Sequence, residues 1–248
     1  MERNLARFAR LAGTLLGGKI RAIVEVGARD CRETLDLHAL YPEADIYAFE
    51  CNPDTLPACR AAATGKPRIH LVEKAVAVRA GRVKFFPVDA AANPGASSLY
   101  RASGRFRLET YAQREIEVEA ITLREFLDQE RVAGVDLLWM DIQGAELAAL
   151  EGLGPRLADV KLAHLEVEFE EIYAGQPLFP EVRAFLVARG FRFLGFTVYA
   201  RHSADAVFAN GAVFSRRALA RALLAHPLLS RKRFTYARHR LKRRLLGR

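Results

Sequence analysis

The chain has 248 residues, enough for one α/β domain with a substantial core. With 51% apolar and 27% charged residues it reads as globular, which excludes a disordered chain, and no apolar run approaches the roughly 18 residues that span a bilayer. The net charge of +9 is unevenly placed: residues 216–248 hold 12 Lys and Arg and no acid, leaving 26 bases against 29 acids in residues 1–215.

The N-terminus carries Glu2, Arg3, Arg7 and Arg10, and its apolar run from Leu11 to Leu16 is short and lacks a small-residue cleavage pattern. That argues against a secretory signal and for a cytoplasmic protein. Leu5, Phe8, Leu11 and Leu15 recur at helical spacing and predict a surface helix packed on the domain. Three cysteines (Cys31, Cys51, Cys59) without a C-x-x-C pair point away from a disulfide framework or a zinc site.

Strand-like and helix-like segments then alternate. Ala22–Val26 predicts a strand, Arg32–Leu40 a helix, Asp45–Phe49 a strand and Asp54–Ala63 a helix. Ile69–Val72, extending to Val78, predicts a third strand, and Val83–Val88 an extra strand or hairpin arm. Ala90–Arg105 reads as a loop. Ile116–Ala120 predicts a strand, and Thr122 with Glu125 a capping box opening a helix to Arg131. Val135–Met140 has the wholly apolar character of a central parallel strand. Gly144–Glu151 predicts a helix, Lys161–Glu168 a strand, Phe179–Arg189 a helix stopped by Gly190, and Phe191–Val198 with Ala206–Phe214 an antiparallel last pair. The alternation specifies a doubly wound, mainly parallel sheet with helices on both faces, whose ligand sits at the carboxyl ends of the strands. The expected organisation is an N-terminal helix over 1–19, a domain over 20–215 and a basic tail over 216–248.

The strand ends carry the chemistry. Glu25, Gly27, Ala28 and Asp30 form the turn after the first strand, where glycine admits close backbone approach. Arg29 and Arg32 stand where a dinucleotide fingerprint needs glycine, which argues against NAD. Glu50 ends the second strand, 25 residues after Glu25, where a carboxylate takes the ribose hydroxyls of a nucleoside, with Cys51 and Asn52 beside it. Asp141 ends the apolar central strand, before a Gln143-Gly144 turn and Glu146. His164, Glu166 and Glu168 alternate along a later strand.

Glu25-Val-Gly27-Ala-Arg-Asp30, Ala48-Phe49-Glu50-Cys-Asn52-Pro53, Asp141-Ile-Gln-Gly144-Ala-Glu146, Tyr173-Ala-Gly175-Gln176-Pro177-Leu178-Phe179 and Phe185-Leu-Val-Ala-Arg-Gly190-Phe191 resemble, in order and spacing, the motifs of the FkbM family of S-adenosylmethionine-dependent methyltransferases. The resemblance implies a class I methyltransferase (Rossmann-like) sheet of seven strands ordered 3-2-1-4-5-7-6, and methylation of an oxygen, often on a sugar or secondary metabolite. It implies cofactor contacts at Glu25, Gly27, Asp30, Glu50 and Asn52, with Ala75 near the adenine. The family often has asparagine where Arg29 stands and a second glycine where Cys31 stands.

A hydroxyl acceptor must lose a proton, and Asp141, Glu146, Glu166 and His164 are the candidate bases, Asp141 first. Mg²⁺ ligation by Asp141 with Glu146 or Glu166 is an open alternative without motif support, and no metal site is assigned. The expected acceptor is a small molecule or glycan. The basic tail suits an anionic surface, membrane lipid included, or a partner protein. An RNA-modifying or nucleic-acid-binding protein is the rival reading, on the aromatics between the tail's basic residues.

Overall fold

The computed structural model describes residues 3–89, 93–106 and 111–226. Seven strands form one sheet in the order β3-β2-β1-β7-β8-β10-β9. These are β1 (Ala22–Val26), β2 (Asp45–Phe49), β3 (Ile69–Val72), β7 (Val135–Met140), β8 (Val160–Glu168), β9 (Phe191–Tyr199) and β10 (Ser203–Asn210). All neighbours pair parallel except β10, which runs antiparallel to both β8 and β9. Counted within the sheet this is the expected 3-2-1-4-5-7-6 order with the last strand antiparallel.

The third predicted strand divides. Lys74 N–H donates to the Val72 carbonyl at 2.9 Å, the chain turns, and Ala75–Val76 (β4) joins a small second sheet ordered β4-β6-β5. Its other strands are β5 (Gly81–Phe85) and β6 (Ile116–Ile121). The final strand starts earlier than predicted and stops at Asn210, whose side chain turns back to the Ala158 and Val160 carbonyls and accepts the Ala212 N–H. The capping box stands: Thr122 Oγ1 accepts the Glu125 N–H at 3.1 Å and the Glu125 carboxylate accepts the Thr122 N–H, opening α4 (Leu123–Gln129).

Helices cover both faces because β7 is buried on both, so neither side of the sheet tolerates water. On one face α4, α5 (Glu146–Leu153) and α6 (Phe179–Ala188) bury Phe126, Leu150 and Leu186 against Val24, Leu138 and Leu165. On the other, α1 (Arg3–Leu16) buries Leu5, Phe8 and Leu11 against Ile23, Ile46, Leu137 and Leu162, with α2 (Arg32–Leu40) and α7 (Arg216–Ala225) alongside. Each such side chain contributes roughly 1.5–3 kcal/mol, so α1 is an integral layer. Leu219 and Ala222 of α7 join the same core, while the tail beyond residue 226 lies outside the described residues. Helix α3 (Leu56–Ala63) packs Cys59 against Ala28, Cys31 and Ala48.

Candidate active site

The tips of β1, β2 and β7 meet at the carboxyl edge of the sheet. Asp141 N–H donates to the Val26 carbonyl at 3.0 Å, and the Gly27 and Ala28 N–H groups both donate to the Phe49 carbonyl. Gly27 sits at φ +89°, and a Cβ there would lie 2.0 Å from the Asp141 carbonyl oxygen. Glycine is therefore required for β1 and β7 to close together. Two further turn residues, Arg29 (φ 52°) and Cys31 (φ 58°), hold the left-handed conformation without being glycine. These are the positions where the family often has asparagine and glycine, the residues that tolerate that conformation.

A cavity of about 990 Å³, counting its open mouth, lies over these tips. Glu50 borders it, 8% exposed, and its carboxylate accepts N–H groups from Arg29 (2.7 Å), Cys51 (2.9 Å) and Asn52 (2.6 Å). Burial raises the Glu50 carboxyl's pKa, and those N–H groups oppose the shift. Cys51, Asn52 and Ala75 border the same space, with Val76 and Phe85 as apolar wall beside Ala75. Gly27 and Asp141 border it as well. Asn52 also reaches Ser97 Oγ at 3.4 Å, which fastens the loop after β5 over the cavity.

Three predicted cofactor residues do not border the cavity. Glu25 shares a sheet face with Ile23 and points into the core under α2, where Thr34 Oγ1 donates to it at 2.5 Å. Burial pushes its pKa up to about 8. Ala28 is buried against Cys31 and Cys59. Asp30 pairs with Arg32 at 3.0 Å and Arg29 at 3.5 Å, bracing the turn from outside.

Among the candidate bases, Asp141 is exposed on the cavity. The Met140–Leu165 register sets Glu166 beside it on β8. Glu146 is buried, and its Oε1 accepts the Ile142 N–H at 2.9 Å, so it closes the turn after β7. Burial pushes its pKa up to about 8. Glu168 is also buried, with its pKa raised by burial and by Glu146 and Asp141 nearby. His164 lies behind Trp139, the rings stacked at 3.9 Å, with Phe8 tilted against both and Nε2 2.8 Å from Thr197 Oγ1. Burial pushes its pKa down to about 3, so it is a neutral core histidine without contact to the cleft.

Sequence reasoning missed Arg29, Lys74, Ser97, Ser98 and Trp139 on the cavity and Gln143 at its edge. Ser97 and Ser98 lie on the loop predicted over Ala90–Arg105. It is fastened to the segment after β8: Ala174 N–H donates to the Arg101 carbonyl, Ser103 N–H to the Ile172 carbonyl, and the Tyr173 hydroxyl lies 2.9 Å from the Ala96 carbonyl. Among the described residues no group of three His, Cys, Asp or Glu is arranged to hold a metal ion, and no helix is long and apolar enough to cross a membrane.

Residues 25–193 match the family described as the Methyltransferase FkbM domain. The chain belongs to the FkbM methyltransferase family. It is similar to the 2-O-methyltransferase NoeI of Sinorhizobium fredii (strain NBRC 101917 / NGR234), 28% identical over 163 residues, which cover 62% of this chain and 66% of that protein. Solved structures with a similar fold include the Methanococcus jannaschii fibrillarin pre-rRNA processing protein (14% identity, TM-score 0.44, 77% of this chain and 66% of that one). M. capricolum TrmK in complex with S-adenosylhomocysteine is another (12% identity, TM-score 0.42, 81% of this chain and 67% of that one).

Proposed function

We propose that this FkbM family member transfers a methyl group from S-adenosylmethionine to a hydroxyl of a sugar or other small polyhydroxylated acceptor. The observation that carries the reading is that a buried carboxylate, Glu50, and an exposed one, Asp141, border one cavity. Glu50 is held by three N–H groups before any ligand arrives, which suits ribose hydroxyls. Ala75, Val76 and Phe85 offer the apolar wall a purine needs, and Gly27 the close approach. When bound, S-adenosylmethionine supplies a methyl group on a sulfonium, with the electron pair of the broken bond staying on sulfur. Asp141 orients the acceptor hydroxyl and takes its proton as the new oxygen–carbon bond forms. The roof from Ala96 to Ser103, fastened to residues 172–174, limits water around that exchange.

The oxygen acceptor is supported by the resemblance to a 2-O-methyltransferase. The test is transfer of a deuterated methyl group from S-adenosylmethionine to a panel of methyl glycosides, read by mass spectrometry. Labelled glycoside ether supports the reading, whereas label confined to nitrogen acceptors such as aminosugar amines contradicts it.

The reading extends to location. Three free cysteines suit the reducing cytoplasm. Arg216, Arg217 and Arg221 are exposed on α7 beside Leu224, which is 80% exposed, at the head of the basic tail. An anionic membrane surface fits that face.

A further inference from the structure

Gln143 was legible only as part of a tight turn, yet its polar groups are all engaged. It holds φ +54°, the left-handed region, without being glycine. Its Nε2 donates to Asp141 Oδ1 at 2.7 Å and to Glu166 Oε2, one amide proton for each carboxyl. Its Oε1 lies 2.8 Å from the Tyr173 hydroxyl, and its carbonyl accepts from Ser98 Oγ at 2.7 Å. Tyr173 is itself fully buried, stacked on Tyr111 at 5.9 Å, and 2.9 Å from the Ala96 carbonyl. The Tyr173 hydroxyl has one proton for these two oxygens; donated to Gln143 Oε1, it fixes the side-chain amide with both amide protons towards the carboxyls.

From this geometry we propose that Gln143 is the positioning residue that clamps Asp141 and Glu166 into one proton-sharing pair, with the exposed Asp141 facing the acceptor hydroxyl. The proposal deepens the methyl-transfer reading above and rests on it for the identity of the reaction. Two carboxyls on adjacent strand tips repel when both are ionised, so the pair keeps one proton. The surroundings reinforce this. Glu168 on β8, Asp205 on β10 and Glu146 on α5 are the other carboxyls near the pair, Tyr173 lies behind it, and Arg29 on the turn after β1 is the cation near Asp141. Burial and the Asp141 charge hold the Glu166 carboxyl well above the usual carboxylate range. Glu166 therefore keeps the shared proton, and the exposed Asp141 is the carboxyl within reach of the acceptor. In the reaction the acceptor hydroxyl proton moves to Asp141 as the oxygen bonds the methyl carbon, and Asp141 releases it to solvent through the cavity mouth.

The test reads the carboxyls directly, by ¹³C NMR titration of protein labelled at Asp and Glu, with Asp141→Asn and Glu166→Gln assigning the signals. Gln143→Gly removes both N–H donors while glycine fits φ +54° without strain. The Asp141 titration should then move up by about one pH unit, because hydrogen bonds to the ionised form are lost. Glu166→Gln, neutral like the protonated Glu166 it replaces, should leave it nearly where it is, and Tyr173→Phe, which frees the amide, should move it up by less than Gln143→Gly. If Gln143→Gly does not fold, Tyr173→Phe decides alone. An Asp141 titration identical in the parent and in every folded variant overturns the clamp. A separate titration with S-adenosylhomocysteine keeps the two readings apart: parent protein that fails to bind it overturns the cofactor reading, whatever the carboxyls do.

Discussion

The carboxylate of Glu50 accepts the backbone N–H of Arg29 at 2.7 Å, so the tip of β2 holds the turn that follows β1. The residue proposed to take the ribose is also the residue that shapes the adjoining turn.

Glu50→Ala therefore acts twice. Removing charge-assisted hydrogen bonds worth roughly 1.5–3 kcal/mol each weakens S-adenosylhomocysteine binding by about ten- to a hundredfold or more. Loss of the three N–H partners also lowers the melting temperature. Glu50→Gln keeps an acceptor and falls between. Calorimetric titration of the three proteins checks the order, and parental affinity in Glu50→Ala would show that the ribose does not sit there.

Arg29→Gly relieves a left-handed backbone that costs a side-chain-bearing residue roughly 1–2 kcal/mol. The ion pairs it gives up are part-exposed and worth little. The melting temperature should rise by about 2–4 °C per kcal/mol recovered. A thermal melt showing a fall instead would mean that the Arg29 side chain braces the turn more than its conformation strains it.

Glu25 sets a pH dependence. Its folded pKa, about 8, lies above the ordinary value, so its protonated form suits the fold and its ionised form does not. The stability it contributes is complete below about pH 4.5 and is lost as pH rises towards 8. Glu25→Gln mimics the protonated form and keeps an acceptor for Thr34 Oγ1. Its advantage over the parent in urea unfolding should grow between pH 5 and pH 8, up to about 5 kcal/mol. A difference independent of pH would place a charge-compensating partner beside Glu25.

The head of the basic segment is rooted in the core through Leu219 and Ala222 of α7. Deleting residues 227–248 should leave folding and S-adenosylhomocysteine affinity intact and abolish co-sedimentation with phosphatidylserine vesicles, a salt-sensitive interaction. Deleting from Arg216 also removes the buried Leu219 and Ala222 and should lower the melting temperature. Vesicle binding that survives the shorter deletion would move the contact to α7 and the body.

Much of the fold was legible because a parallel strand buried on both faces leaves an unbroken apolar run, as in Val135–Met140, and because Thr122 and Glu125 announce a helix start by their chemistry. Glu50 was legible as a strand-end carboxylate 25 residues after Glu25, and β2 carries it to the cavity. Glu25 was placed on the wrong side because both faces of β1 are buried, and a buried glutamate beside Thr34 has the same sequence signature as one facing a ligand. His164 misled for the same reason, since a histidine stacked on Trp139 follows the alternation of a cleft residue. The left-handed backbone at Arg29, Cys31 and Gln143 could not be read from those residues themselves, because nothing in their side chains demands that conformation. The break between β3 and β4 was hidden because Ala75 and Val76 are as strand-like as Ile69–Val72 and differ only in the sheet they join.

The most direct measurement of the central claim is calorimetric titration of the intact chain with S-adenosylhomocysteine and, in parallel, with NADH. A ligand selective for the folded state stabilises it by about 2.7 kcal/mol at a hundred times its dissociation constant, so a thermal shift accompanies true binding. The account predicts saturable binding of S-adenosylhomocysteine with a raised melting temperature, and no response to NADH. Tight binding of NADH with none of S-adenosylhomocysteine would contradict it.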